Sequence, residues 1–397
     1  MSSLDLYPSL RANWSYPTIV RFGPGRIAEL PEALKIAGIR RPLFVTDPGL
    51  VNLPIVAKAL AILKQASIPV AVFSRVDGNP TLPNLDDGLA AYKAGGHDGV
   101  ISFGGGSAMD VGKAVAFMSG QTRPVVDYED REDWWTRANE KGIAPVVAVP
   151  TTAGTGSEVG RAAVLLDPAD HTKKIIFHPL MLAKVVIADP ELTLDLPAKI
   201  TAWTGMDALS HCLEAYSSPF FHPMGLGIAL EGARLVKEWL PVAVRDGKNI
   251  EARAFMMAAS SMGAVAFQKG LGAMHAMSHP ASSLRGTHHG LTNAVVMPYV
   301  LVHNRPLIEA RLTALARYLD LPGHSAKSVI DWTLALRKEI GVPHTLREIG
   351  IGEDMIEEAA PMAEHDPSTG GNPRPLVARE YAALYRAAIS GTLDHGG

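Results

Sequence analysis

The sequence predicts an α/β first half followed by an all-helical second half, and three observations carry that expectation. Up to about residue 190, short β-branched runs alternate with helix-like segments. Beyond it the chain is rich in Ala, Leu and Met at helical spacing, with few β-branched clusters. At 397 residues the chain is too long for one simple core, so two domains are expected. Strand candidates are residues 17–22, 42–46, 69–73, 99–103 and 145–149, with helical patterns at 53–66, 84–95 and 107–118. Continuous apolar strands separated by single helices indicate a parallel sheet covered on both faces. In the second half, prolines near 219, 223, 241, 280 and 298 are expected to divide the chain into several helices. The boundary falls at residues 189–196, giving domains 1–192 and 193–397.

Composition narrows the function classes. A net charge of -3 with scattered basic residues offers no surface for nucleic acid or an anionic membrane. One cysteine, Cys212, rules out an internal disulfide and fits a reducing compartment. The first residues lack the basic start and apolar run of a signal peptide, and no apolar stretch approaches the ~20 residues of a membrane helix. A cytoplasmic protein is the simplest expectation.

Two glycine-rich turns follow strand candidates. In FGGGSAMDVGKAVAF, Gly104, Gly105 and Gly106 separate an apolar run from a helix. Such glycines admit a pyrophosphate close to the backbone, and the helix N-terminus offers it free N–H groups. Ser107 suits a phosphate contact or a helix cap, and Asp110 suits the first helical turn. A plain strand–helix turn with a serine cap is the alternative. In PTTAGTGSE, Thr151, Thr152, Thr155 and Ser157 supply hydroxyls around two further glycines. Neither the Walker pattern nor an early Gly-x-Gly-x-x-Gly is present, so a less familiar phosphate loop is required. Asp47, ending the second strand candidate, suits the adenosine ribose hydroxyls and would repel a 2′-phosphate, which favours NAD over NADP. Asn79 is a candidate for the nicotinamide side, and Lys174, one of two adjacent lysines, is a further cofactor-binding candidate.

The second half carries a metal-ligand set. Asp207 and His211 stand four apart, as do His275 and His279, so a helix places each pair on one face. His289 lies in a Gly-flanked turn, THHG. HAMSH lacks the glutamate of a zinc-protease helix. One carboxylate with three imidazoles can hold a divalent ion and leave a position open for a substrate oxygen.

With these motifs in order (GGGSAMDVGKA, VPTTAGTGSEV, ADPELT, TGMDALSHCLEAY, GLGAMHAMSHP, HHGLTNAVVMP and the late DPSTGGNPRP) the chain resembles the iron-containing (group III) alcohol dehydrogenases, the group that includes lactaldehyde reductase and 1,3-propanediol dehydrogenase. The resemblance covers nearly the whole chain. It implies a dehydroquinate synthase-like fold, NAD(P) and one divalent metal meeting in a cleft, and a homodimer or larger homo-oligomer. It places the metal on Asp207, His211, His275 and His289, and makes His279 a non-ligand histidine beside the nicotinamide, suited to relay the alcohol proton. Fe(II) is the expected ion and Zn(II) its alternative.

A polarising cation beside a nicotinamide means hydride exchange with a small alcohol or aldehyde. Other readings are a reductase of a short anionic aldehyde, with Arg161 and Lys269 as cationic candidates, a maleylacetate-type reductase, and a lyase using bound NAD transiently. A metal hydrolase is the rival of a different class, and it leaves the glycine turns unexplained.

Overall fold

Apolar β-branched runs form the strands of the first unit. The structure, a computed structural model, describes residues 12–14 as backbone, and residues 18–393. Part of the strand candidate at 17–22, most of the start read for a signal peptide, and the last four residues lie outside that range. The strands are β1 (Ala12–Trp14), β2 (Ile19–Phe22), β3 (Pro42–Val45), β4 (Ala71–Phe73), β5 (Gly99–Gly104), β6 (Val146–Pro150), β7 (Ala162–Asp167), β8 (Thr172–Phe177) and β9 (Val185–Ala188). Seven of them make one sheet in the order β1-β2-β9-β6-β5-β3-β4, parallel except for the β1–β2 edge. The central strands β3, β5, β6 and β9 are buried along their whole length, so both faces of the sheet are covered. The helices α1 (Leu30–Ala37), α2 (Pro54–Gln65), α3 (Leu82–Ala94) and α4 (Gly106–Met118) follow strands in turn. β7 and β8 form a separate antiparallel hairpin.

The second unit is helical: α5 (Ala198–Ser217), α6 (Pro223–Arg245), α7 (Ile250–Ala266), α8 (Ala273–Arg285), α9 (His289–Tyr318), α10 (Ala326–Glu339), α11 (Ile356–His365) and α12 (Ala378–Ser390). One contiguous apolar core runs through these helices, with Met206, Val236, Met277, Val296 and Ala359 all at 0% exposure. By contact density the first unit takes the residues up to Thr152 with Gly156–Asp195, and the second takes Ala153–Thr155 with the residues from Leu196 onward. Among the described residues no helix is long and apolar enough to cross a membrane.

The prolines do not all act as expected. Pro219 and Pro223 bracket the break between α5 and α6. Pro241, Pro280 and Pro298 instead lie inside α6, α8 and α9. An internal proline loses one helical hydrogen bond and costs about 3 kcal/mol. Burial outweighs that cost: every residue from Gly290 to Leu301 around Pro298 is buried.

Candidate metal centre and nucleotide turns

Helix α5 is built so that its functional groups share one buried face. Asp207, His211 and Glu214 stand at i, i+4 and i+7, and all three are buried. Two glycines let neighbours approach this face. A Cβ on Gly290 would stand 2.5 Å from the Trp203 carbonyl oxygen and 3.0 Å from Asp207 Cβ. A Cβ on Gly263 would meet His211 Cβ at 3.0 Å. Glycine at these points brings the start of α9, and α7, directly against α5.

The first turn of α9 then delivers His289, and α8 delivers His275. Donor atoms of Asp207, His275 and His289 all lie within 4.8 Å of one another. His289 Nε2 and Asp207 Oδ1 are 3.6 Å apart. Two ligands on a tetrahedral ion at ~2.1 Å sit about 3.4 Å from each other, so this pair fits a divalent cation. His211 stands beside the trio, its ring stacked on His275 with centroids 4.8 Å apart at 20°. Its Nδ1 is buried and makes no hydrogen bond of standard geometry. A buried, neutral imidazole stacked beside three converging donors suits a fourth ligand position, and the Gly154 backbone is its other polar neighbour.

Tautomers are fixed from outside the cluster. His275 Nδ1 pairs with Glu214 Oε2 at 2.6 Å, and the other Glu214 oxygen accepts the Met274 backbone N–H at 2.6 Å. His289 Nδ1 lies 3.1 Å from Ser278 Oγ. Both rings are thereby turned so that Nε2 faces inward with a lone pair. His279 Nδ1 pairs with Asp366 Oδ2 at 2.7 Å. Burial depresses His211 to about 4, against the pull of Asp207, so it is neutral near pH 7. Burial would also depress His275, but the Glu214 carboxylate more than offsets it and the net direction is upward. Burial would raise Asp366, and the His279 imidazole holds it below the usual carboxylate range.

Sequence reasoning passed over four residues of this centre. Glu214 continues the Asp207–His211 spacing by one turn and was legible on that ground. Asn293 stands one turn after His289, its amide nitrogen 2.8 Å from Asp207 Oδ1. Asp366 opens the DPSTGGNPRP motif. Ser278 carries no signal short of the fold. His288, which stays outside the ligand set, lies with its ring 5.1 Å from that of Trp203 and tilted 51° to it.

The first unit gathers most of the nucleotide candidates around the end of β5. Gly104 has φ +150, and a Cβ there would stand 2.8 Å from Ala108 Cβ and 3.4 Å from Asp47 Oδ2. Asp47 therefore lies beside the first glycine turn. Its Oδ1 accepts the Gly49 and Leu50 backbone N–H groups at 2.9 and 3.1 Å, and burial raises its pKa. Gly105 is the N-cap of α4, and a Cβ on it would lie 3.3 Å from Thr152 Cγ2. The Thr151 backbone N–H donates to the Gly104 carbonyl, joining the two turns. Ser107 does not cap the helix; its hydroxyl donates at 2.8 Å to the carbonyl of Gly78, next to half-buried Asn79.

Asp110 and Ser157 are turned toward each other. Ser157 Oγ donates to Asp110 Oδ1 at 2.5 Å, and the Val164 N–H donates to Oδ2 at 3.0 Å. The buried Lys113 ammonium donates to Ser157 Oγ at 2.6 Å and to the Ser157 and Ala162 carbonyls. These groups brace the second glycine turn against α4 and β7. Gly156, at φ +61, makes the turn itself. Thr155 falls in the short segment that belongs with the helical unit. Lys174 is ion-paired with Asp170 at 2.5 Å on the β7–β8 hairpin. Lys269 does not offer an anion site: it is 1% exposed, and its ammonium donates to the Ser218 carbonyl at the end of α5. Arg161 lies with its guanidinium 5.5 Å over the Phe177 ring.

Comparison with known proteins supplies the wider frame. Residues 17–190 match the family described as iron-containing alcohol dehydrogenase, and residues 201–389 match its C-terminal part. A 4-hydroxybutyrate dehydrogenase of Cupriavidus necator is 40% identical over 94% of this chain and 99% of its own. The 1,3-propanediol dehydrogenase of Klebsiella pneumoniae is 35% identical, covering 94% and 97%. Among solved structures, a 1,3-propanediol oxidoreductase superposes with TM-score 0.88 at 35% identity, covering 93% and 97%. A sulfoacetaldehyde reductase from Bifidobacterium kashiwanohense in complex with NAD+ superposes with TM-score 0.83 at 29% identity, covering 96% and 98%.

Proposed function

This chain belongs to the iron-containing alcohol dehydrogenase family, an oxidoreductase with the dehydroquinate synthase-like fold, and on that premise we propose that Asp207, His211, His275 and His289 would hold one divalent ion and the glycine turns an NAD that would supply hydride chemistry. The observation that carries the reading is the convergence of Asp207, His275 and His289 donor atoms within 4.8 Å, with the buried His211 ring stacked against His275. Fe(II) follows from the family, and the borderline-soft N/O donor set also suits Zn(II). Bound there, such an ion supplies electrophilic polarisation of an alcohol or carbonyl oxygen.

The chain's own groups do the rest. Glu214 and Ser278 fix the ligand tautomers through 2.6 and 3.1 Å contacts at Nδ1. His279, held by Asp366, takes the alcohol proton during oxidation and returns it during reduction; the carboxylate steadies the imidazolium formed. Gly104, Gly105 and Gly106 with the α4 N-terminus receive the pyrophosphate. Asp47 accepts from the adenosine ribose and disfavours a 2′-phosphate, so NAD is used in preference to NADP. Asp110 and Ser157 hold the second turn in place through their mutual hydrogen bond.

For substrate we favour short primary alcohols and their aldehydes, with 4-hydroxybutyrate first among the acids because of the 40% identical relative of that name. Lys269 takes no part in binding the acid. A single thiol supports a cytoplasmic site of action, and the family resemblance supports a homo-oligomer. The test follows NADH absorbance with a panel of short alcohols and hydroxy acids, with and without chelator. Chelator-sensitive NADH formation is expected; turnover unaffected by complete metal removal contradicts the reading.

A further inference from the structure

We propose that Asn293 holds the ligand set in its metal-binding arrangement before an ion arrives, and keeps Asp207 oriented afterwards; this rests on the metal reading above. Asn293 is fully buried on α9, one turn beyond His289. Its Nδ2 lies 2.8 Å from Asp207 Oδ1, 3.1 Å from His289 Nε2 and 3.2 Å from His275 Nε2. One amide nitrogen thus meets three donor atoms brought in by three helices.

The contacts are directional. The Nδ1 atoms of His275 and His289 are engaged by Glu214 and Ser278, which leaves lone pairs on both Nε2 atoms. The opposite amide orientation would set the carbonyl oxygen against a carboxylate and two lone pairs. Two N–H groups cannot fully satisfy three acceptors, and the carboxylate takes the stronger, charge-assisted bond. With the imidazole lone pairs given to an ion, the amide still donates to Asp207.

The other end of the amide rules out a packing role. Asn293 Oδ1 is buried with no hydrogen-bond partner. A buried unpaired acceptor is costly, and leucine would fill a similar volume without that cost. The amide therefore opposes stability at its oxygen while organising the cluster at its nitrogen. A positioning residue next to metal ligands commonly sets affinity by about 10–100-fold.

The test strips the full chain with chelator, reloads it with Co(II), and measures affinity by chelator competition together with the visible spectrum. Asn293→Leu is expected to bind Co(II) about 10–100-fold more weakly than the native chain, with an altered spectrum. Its metal-free melting temperature should be lower, because the buried Asp207 carboxylate loses its charge-assisted donor, a loss only partly offset by removal of the orphaned amide oxygen. Asn293→Asp, nearly the same shape, guards against a folding failure. It sets two carboxylates face to face, so its metal-free form should melt lower and gain more on Co(II) addition than the native chain does. Asn293→Leu binding within threefold of native with the same spectrum overturns the proposal, as does an unchanged metal-induced shift in Asn293→Asp. If the native chain itself binds no Co(II), the metal reading fails instead.

Discussion

Replacing Glu214 by glutamine isolates the contact that sets the His275 tautomer. The native carboxylate uses both oxygens, one on the Met274 N–H and one on His275 Nδ1, each at 2.6 Å. An amide keeps a single acceptor. If its oxygen stays with Met274, its NH2 faces His275 Nδ1 and drives the ring proton to Nε2, where it blocks ligation. If the oxygen turns to His275, the backbone N–H at the start of α8 is buried unpaired. The first outcome lowers metal affinity about 10–100-fold. The second removes a charge-assisted bond worth about 1.5–3 kcal/mol. Chelator competition reads the first, and chemical denaturation of the chelated protein reads the second. A Glu214→Gln chain with native metal affinity and native metal-free stability would refute the reasoning.

His279→Ala should retain its ion by elemental analysis and lose turnover by about 10²–10⁴-fold, with a flattened pH–rate profile; an unchanged profile would remove His279 from proton transfer. Gly290→Ala forces a Cβ to within 2.5 Å of the Trp203 carbonyl oxygen, so α9 must move off α5. It should cost about 1–3 kcal/mol in denaturation experiments and weaken ion retention as His289 is drawn from Asp207. Burial pushes the Cys212 thiol up to about 12, so it stays protonated near pH 8. Cys212 should resist alkylation in the folded chain and react on unfolding; rapid labelling of the native protein would contradict its burial.

The parts legible in the sequence are those where one residue type admits one local geometry. β3, β5 and β6 fall within a residue or so of the expected bounds because their runs are continuously apolar and flanked by Gly or Pro. Asp207 and His211 declared a shared helical face by spacing alone. The β7–β8 hairpin escaped notice because its strand sequences, AAVLLD and TKKIIF, show no polar–apolar alternation, although β7 buries Ala163 and Leu165 on one face. β9 hid in a four-residue apolar run before the ADPELT turn. Pro298 read as a break because the cost of an internal proline is local, whereas the packing that outweighs it comes from distant helices. Asp366 meets His279 across 87 residues and Asn293 meets Asp207 across 86, contacts that no spacing rule reaches. Lys269 looked like a surface or substrate cation, and only the fold shows its ammonium closing the end of α5.

The central claim is that one cation sits among Asp207, His211, His275 and His289. Anaerobic reconstitution with ferrous or zinc salt, followed by desalting and elemental analysis, tests it directly when the native chain is compared with Asp207→Ala and His275→Ala. The account expects about one ion per native chain and little in either variant. An ion content that is negligible in the native chain, or equal in all three, would contradict it.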